Sequence, residues 1–355
     1  MFEFQFFNAK HGDAFLLGWG SAPGSVMLVD GGPTGTYEAG LRDALLTTLP
    51  RDGLNRPRID VVCLSHVDDD HAAGLVRLFA EIRRDRGDQL PDPFAIARLW
   101  FNSVEDLVER EVPGLGASVT GLLEQAQQSE VMTASYNQGR QLRDDAAFLA
   151  LDGNPPFGGP IVQGNHASLA GLDVTVVAPD KEALEKLAEK WREARRRNDP
   201  AVITAAYADQ SIPNLSSIVL FVEHGGRTAL LTGDARADRI LAGLSAAKLL
   251  PAAGPLKVDL LKLPHHGSDR NMKREFFDKV QADHYVISAD GIKHHHPSEA
   301  TLQALVESRG PADRYTIHFT NEIPSALEAL ESLRTTRAID VDVRPPESHA
   351  VTVRL

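Results

Sequence analysis

The sequence predicts an α/β protein of the four-layer αββα type, a single domain over residues 1–355 with a helical insertion at about 103–165. Three observations predict it. Short apolar runs rich in β-branched residues alternate with segments whose apolar residues recur at helical spacing. Each dense group of histidine and aspartate follows directly on one of those apolar runs. The groups occur in both halves, so two sheets, expected from residues 1–180 and 210–355, must face each other for the groups to meet.

MFEFQFF alternates as a strand does, and after a turn at His11 to Asp13 a second strand runs through Leu17. VMLVD is a third strand ending at Asp30, where Gly31 and Gly32 allow tight backbone. YEAGLRDALLTTL has helical spacing, Val61 to Leu64 is a short buried strand, and the AAGL segment opens a helix that continues through LVRLFAEIRRDRG. FAIARLWFN reads as a strand. From about Ser103 to Asn165 the pattern is mostly helical and polar with a loop at NPPFGGP, a segment suited to a substrate lid or to dimer contacts. GLDVTVVAPD is a strand, and residues 181–198 form a charged amphipathic helix ending in the basic run Arg195 to Arg197. The second half holds the strand–turn–strand NLSSIVLFVEHGGRTALLTGD, strands in VDLLKL and DHYVISAD, and a helix begun near Pro297. YTIHFTN, IDVDV and Ala350 to Arg354 are late strands, the last of them an edge.

A chain that is 43% apolar has ample core, while a net charge of −12 repels polyanions at long range. A nucleic-acid role would therefore need a local basic groove or bridging metals. Cys63 is the only cysteine and lies inside an apolar strand, which excludes an intrachain disulfide and suits a reducing compartment. No apolar run approaches the ~20 residues of a membrane helix, and MFEFQFFNAK is too polar for a secretory signal. The expected setting is cytoplasmic, with no membrane.

The densest chemistry is HVDDDH, where His66, Asp68, Asp70 and His71 put four potential metal ligands into six residues. Imidazoles and carboxylates so spaced can surround one or two divalent cations. A solvated acidic loop would not explain why further clusters follow at Asp234, at His265 and His266, and at His294 to His296. HVDDDH resembles the H-x-H-x-D-H signature of the metallo-β-lactamase superfamily, in the H-x-D-x-D-H form typical of the hydrolase domain of the DNA-uptake channel protein ComEC and its soluble relatives. The K-x-P-H-H-G-S run from Lys262 to Ser268 resembles the same group.

That resemblance implies the metallo-β-lactamase fold and a site for two divalent ions, Zn or Mn. One would be held by His66, Asp68 and a bridging Asp234; the other by Asp70, His71, Asp234 and one of His265 and His266. His265 is taken as that ligand and His266 as a catalytic partner, with the pair interchangeable at this point. Asp30 supports the metal loop, and His11 and Asp13 lie near the site or make a structural turn. The histidine usual in the third motif is missing near Asn214 to Ser217, which leaves water, Asn214 or a residue such as His166 to complete the first site. Asp68 in place of imidazole makes that site richer in oxygen and shifts preference toward manganese. Asp70 would accept a proton, and His296 would act as general acid or oxyanion partner.

The implied chemistry is metal-dependent hydrolysis by activated water. A phosphodiesterase or nuclease is favoured; the alternatives are a hydrolase of a small ester, lactone or nucleotide, and a catalytically weak, metal-stabilised regulatory module. Nucleic acid or a small phosphodiester is the expected partner, with a regulatory protein acting on the insertion as a further expectation.

Overall fold

In a computed structural model, the structure describes residues 1–22, 24–103, 130–151, 153–182, 184, 196, 216–270, 272–334 and 337–355. The chain opens with β1 (Phe2–Phe7), β2 (Phe15–Trp19) and β3 (Ser25–Val29), an antiparallel meander in which β1 begins with alternate burial and β2 and β3 are buried almost throughout. A wound segment, Tyr37–Leu41, leads into α1 (Arg42–Thr48), followed by β4 (Arg58–Ile59), β5 (Val61–Cys63), α2 (Asp69–Gly87), β6 (Ala95–Ile96) and β7 (Leu99–Trp100). Helix α3 (Glu130–Phe148) precedes β8 (His166–Leu169), β9 (Leu172–Ala178), β10 (Val219–His224) and β11 (Arg227–Leu231). The chain closes with α4 (Ala237–Ala246), β12 (Leu256–Lys262), α5 (Arg274–Lys279), β13 (Val280–Ile287), α6 (Glu299–Ser308), β14 (Tyr315–Phe319), α7 (Pro324–Arg334), β15 (Ile339–Val343) and β16 (Ala350–Arg354).

Two mixed sheets stack face to face. The six-stranded sheet runs β16-β1-β2-β3-β5-β7 and the eight-stranded sheet β15-β14-β13-β12-β11-β10-β9-β8. Between them lies one apolar layer, with Phe4, Leu17, Met27, Val61 and Trp100 from one side and Val176, Leu220, Leu231, Leu260 and Val286 from the other. The outer face of the first sheet carries α1 and α2 through Leu45, Leu75 and Phe79; that of the second carries α4 to α7 through Ile240, Phe277, Leu305 and Leu330. This is the αββα order, and every layer boundary is apolar because each sheet must bury both faces. Cys63 sits in the central layer, and burial pushes its thiol up.

The expected division of the sheets between the two halves of the chain does not hold. Strands β8 and β9, from the first half, pair with β10 and extend the second sheet, while β16 crosses back to pair antiparallel with β1. Alternation reports that a segment is a strand but says nothing of its partner, and here one edge of each sheet is completed by chain from the other half. FAIARLWFN is also not one strand: β6 pairs with β4 and β7 with β5. Much of the expected insertion (104–129) and most of the expected charged helix at 181–198, including Arg195 and Arg197, lie outside the described residues. No helix among the described residues is long and apolar enough to cross a membrane.

Helix α2 is held against the end of β3 by a backbone contact that only glycine permits. A Cβ on Gly74 would meet the Gly31 carbonyl oxygen at 1.9 Å, and Gly74 N–H donates to Gly32 O at 3.1 Å. Gly74→Ala is expected to destabilise the fold by about 1–3 kcal/mol, the scale of overpacking in a rigid interior. The denaturant midpoint should fall at constant m-value; an unmoved midpoint would mean the helix slides without resistance.

Candidate metal centre

The site forms where strand ends from both sheets converge. Strand β5 ends at Cys63 and delivers Ser65 and His66; Asp68 occupies the position before α2, and Asp70 and His71 lie in that helix's first turn. The helix thus starts earlier than the AAGL segment expected to open it, because acidic residues are favoured at a helix N-terminus. Strand β11 delivers Asp234, and β12 ends at Lys262 before a tight turn, Pro264–Gly267. His265 and His266 in that turn have φ of 47° and 56°, and Asp30 at the end of β3 has φ of 57°. Non-glycine residues persist in this region only where the surroundings over-determine them, as they do at sites where side chains must be aimed.

Asp234 lies at the centre, 3% exposed, and its two oxygens face different sets of ligands. Its Oδ2 is 3.9 Å from His66 Nε2 and 3.6 Å from His265 Nε2, and His66 Nε2 is 3.7 Å from Asp68 Oδ2. Its Oδ1 is 3.3 Å from His71 Nε2 and 3.5 Å from His266 Nε2, and His266 Nε2 is 3.5 Å from Asp70 Oδ2. The two adjacent histidines therefore serve opposite sides of one carboxylate. Their left-handed backbone separates the rings, whose centroids are 6.0 Å apart at 75°. His166, considered from sequence for the first site, instead stands exposed on edge strand β8 with its Nδ1 at 3.1 Å from Thr175 Oγ1. Asn214 is outside the described residues, while Ser216 and Ser217 are buried, Ser217 at Gly233 together with Ser65.

The outward nitrogens are set by groups behind the rings. Asp30 Oδ2 lies 2.8 Å from His71 Nδ1, and the same carboxylate accepts from Ser65 N–H at 2.7 Å and Ser65 Oγ–H at 2.8 Å. His266 Nδ1 is 2.8 Å from the Ser288 carbonyl. Asp13 lies behind both histidines, 3.4 Å from His266 Nδ1 and 3.8 Å from His71 Nδ1, and is ion-paired with the fully buried Lys262. Asp13, His71, Asp234 and His266 each offer an atom within 4.8 Å of the others. Because Asp13 addresses the Nδ1 edges while Asp234 faces the Nε2 edges, we place it as a support of the rings. The Asp13 loop reaches this position because Gly12 passes the start of α2 too closely for any side chain: a Cβ there would lie 1.9 Å from Asp70 O.

These residues fit divalent cations. His66, His71 and His266 each have a buried Nε2 with no hydrogen-bond partner, as does Asp234 Oδ1. Ligand bonds of about 2.0–2.1 Å at tetrahedral angles separate ligand atoms by about 3.3–3.4 Å, wider than a hydrogen bond and close to the 3.3–3.5 Å around Oδ1. Charge points the same way. Burial and the neighbouring carboxylates of Asp70 and Asp234 push the Asp68 carboxyl up to about 8. Burial and the adjacent His71 drive His66 down to about 3, leaving its imidazole neutral. For His266 burial opposes the charge, yet Asp234 and Asp13 outweigh it and raise the ring to about 10. Three carboxylates packed together call for positive charge, which cations can supply once the histidines are deprotonated.

Sequence reasoning overlooked Lys262 and Ser288 and left Asp13 undecided. Lys262 carried a signal in a strand that reads VDLLKL: a lysine ends a run whose neighbours are core. Nothing local names its partner, which is 249 residues away (262 minus 13).

Fold and site together resemble those of the metallo-β-lactamase superfamily, whose family model matches residues 8–83. Among individual proteins, the chain is similar to ComE operon protein 3 of Bacillus subtilis (strain 168), 32% identical over 105 residues, or 29% of this chain and 13% of that protein. It is also similar to microtubule-associated protein 1A of Rattus norvegicus, 38% identical over 55 residues, 16% of this chain and 2% of that protein. The matched stretches thus span a small part of these relatives. Of solved structures, Zn(2+)-bound PqqB from Methylobacterium extorquens is similar with TM-score 0.44 and 14% identity, covering 99% of this chain and 100% of that one. The metallo-beta-lactamase fold protein YhfI from Bacillus subtilis has TM-score 0.39 and 9% identity, covering 99% of both chains.

Proposed function

We propose that this chain is a phosphodiester hydrolase using two divalent cations, Mn or Zn, one on each side of Asp234. One observation carries the reading: the two oxygens of a single buried carboxylate face separate His/Asp sets. His66, Asp68, His265 and Asp234 Oδ2 would hold one cation; Asp70, His71, His266 and Asp234 Oδ1 the other. In this assignment His265 takes the place of the missing third-motif histidine, and His266 is a ligand before it is a catalytic group. Bound cations would supply Lewis acidity and bring the pKa of a water toward neutrality.

The chain's own residues do the rest. Asp30 and the Ser288 carbonyl fix the ring planes of His71 and His266, with Asp13 behind both, so both Nε2 lone pairs stay aimed at the centre. Asp70, at the mouth with a side chain 21% exposed, is placed to accept a proton from the attacking water. His296 stands at the rim, its ring centroid 5.8 Å from that of His265. Burial and the neighbouring His265 and His266 lower its pKa to about 4, so near neutral pH it is an uncharged N–H donor. That favours a hydrogen bond to developing oxyanion charge over proton delivery. Three carboxylates among the ligands make the centre rich in oxygen, which suits in-line phosphoryl displacement.

Purified protein is expected to carry close to two equivalents of Mn or Zn by plasma mass spectrometry and to cleave bis-p-nitrophenyl phosphate. His265→Ala and His266→Ala should each remove about one equivalent. Less than half an equivalent in the parent protein, with no turnover after added manganese, would leave a metal-free scaffold in place of an enzyme.

A further inference from the structure

A file of imidazoles leads from the centre to solvent. His265 contacts His296, His296 stacks on His294 with ring centroids 6.0 Å apart at 26°, and His294 meets His11 edge-on at 6.0 Å. At the outer end Lys293 Nζ donates to His11 Nε2 at 3.2 Å. His11 is turned by Asp290, whose Oδ2 lies 3.9 Å from His11 Nδ1, and both His11 and His294 feel the charges of Asp70 and His266. The file therefore adjoins the centre.

The loop bearing Lys293 and His294 is held in shape before any ligand arrives. Asp290 Oδ1 accepts from Ile292 N–H at 2.9 Å, Asn321 Nδ2 donates to the Ala289 carbonyl at 2.9 Å, and Ser298 N–H donates to Gly267 O at 3.1 Å. Gly291 turns the chain with φ of 71° against Ile323. In a chain of net charge −12, a braced run of imidazoles ending in the Lys293 ammonium is an exception to the general field. Of the two carboxylates whose charge reaches its His11 and His294, Asp290 is engaged by His11 and Ile292 and Asp70 belongs to the proposed metal centre. Neutral imidazole N–H groups and an ammonium bind phosphate oxygen without needing a basic protein surface.

We propose that Lys293 and His294, with His11 holding the Lys293 ammonium in place, form a subsite for a second phosphate group of the substrate, next to the phosphodiester to be cleaved. This rests on the phosphodiester reading above. The substrate class is a phosphodiester bearing at least one further phosphate, as an oligonucleotide chain or a nucleoside polyphosphate does. The subsite tracks a backbone and reads no base, and its contribution should weaken with salt.

The test compares thymidylyl-thymidine (TpT) with its 5′- and 3′-phosphorylated forms (pTpT and TpTp). With wild-type protein one of the phosphorylated forms should show a KM about ten-fold lower than TpT, consistent with ~1.4 kcal/mol per ten-fold. In Lys293→Ala/His294→Ala the advantage should shrink below three-fold, with bound metal unchanged. Competition by ATP against a hexathymidylate distinguishes the source: the tighter wild-type ligand, weakened in the variant, is the favoured one. If neither phosphorylated form is preferred, or the preference survives in the variant, the subsite is refuted. If no thymidine substrate is cleaved, the phosphodiester reading has failed. The subsite is then judged by anisotropy with fluorescein-labelled phosphorothioate hexathymidylate. At least five-fold weaker, salt-sensitive binding by the variant upholds it; equal binding overturns it.

Discussion

Replacing Asp234 with asparagine is expected to lower bound Mn or Zn from near two equivalents to below half and to cut hydrolysis of bis-p-nitrophenyl phosphate at least ~10³-fold. An amide keeps the size of the carboxylate but offers one acceptor oxygen, no charge, and an NH₂ group aimed at His66 and His265 or at His71 and His266. Both sets of ligands lose their common anion at once, since Oδ1 and Oδ2 each face one of them. A 10³-fold loss corresponds to ~4 kcal/mol of transition-state stabilisation, within what a metal pair contributes. Metal content and rate should fall together. A variant that keeps both cations but loses rate would show that Asp234 acts in the reaction without holding metal, and one that keeps both properties would end the two-cation assignment.

The second large effect is expected at a residue that touches no substrate. Lys262→Met should lower stability by about 3–5 kcal/mol, because it strands the Asp13 carboxylate, 1% exposed, without its counter-charge. Adding Asp13→Asn should recover most of that loss, since replacing both members of a buried pair is far less costly than removing one. The double-mutant cycle, run on denaturant midpoints, isolates the coupling. Additive single effects would mean that the two charges do not support each other.

The pH dependence follows from the same pair. Burial alone would raise the Asp13 carboxyl, but Lys262 and His266 outweigh it and hold the group well below the usual carboxylate range. A depressed carboxylate stabilises the fold fully above its unfolded value near 4 and loses that contribution as pH falls toward its folded value. Wild-type stability should therefore drop more steeply below pH 4 than that of Lys262→Met/Asp13→Asn.

Much of the site could be read in the sequence because its signals are local. HVDDDH sits at a strand-to-helix junction, so spacing within six residues already orders His66, Asp68, Asp70 and His71 along one turn. Each later group follows its strand in the same way, at Asp234, at His265 and His266, and at His296. The layered architecture was legible for the same reason, since alternation and helical spacing are properties of short stretches. Strand partners were not. Nothing in GLDVTVVAPD says that β9 joins the second sheet, nor does the final segment say that it returns to β1.

By itself the sequence marked the histidines and aspartates that the structure brings together, and that two sheets must do so, because residue type and period are written locally. Only the tertiary structure decided that His265 and His266 part to opposite oxygens of Asp234, that Asp13 and Lys262 meet beneath the site, and that His11 joins His294 at its edge. The physical reason is that each of these depends on backbone in the left-handed region or on a contact between distant segments. Both are settled when the two apolar faces close on one another, and no run of neighbouring residues encodes either.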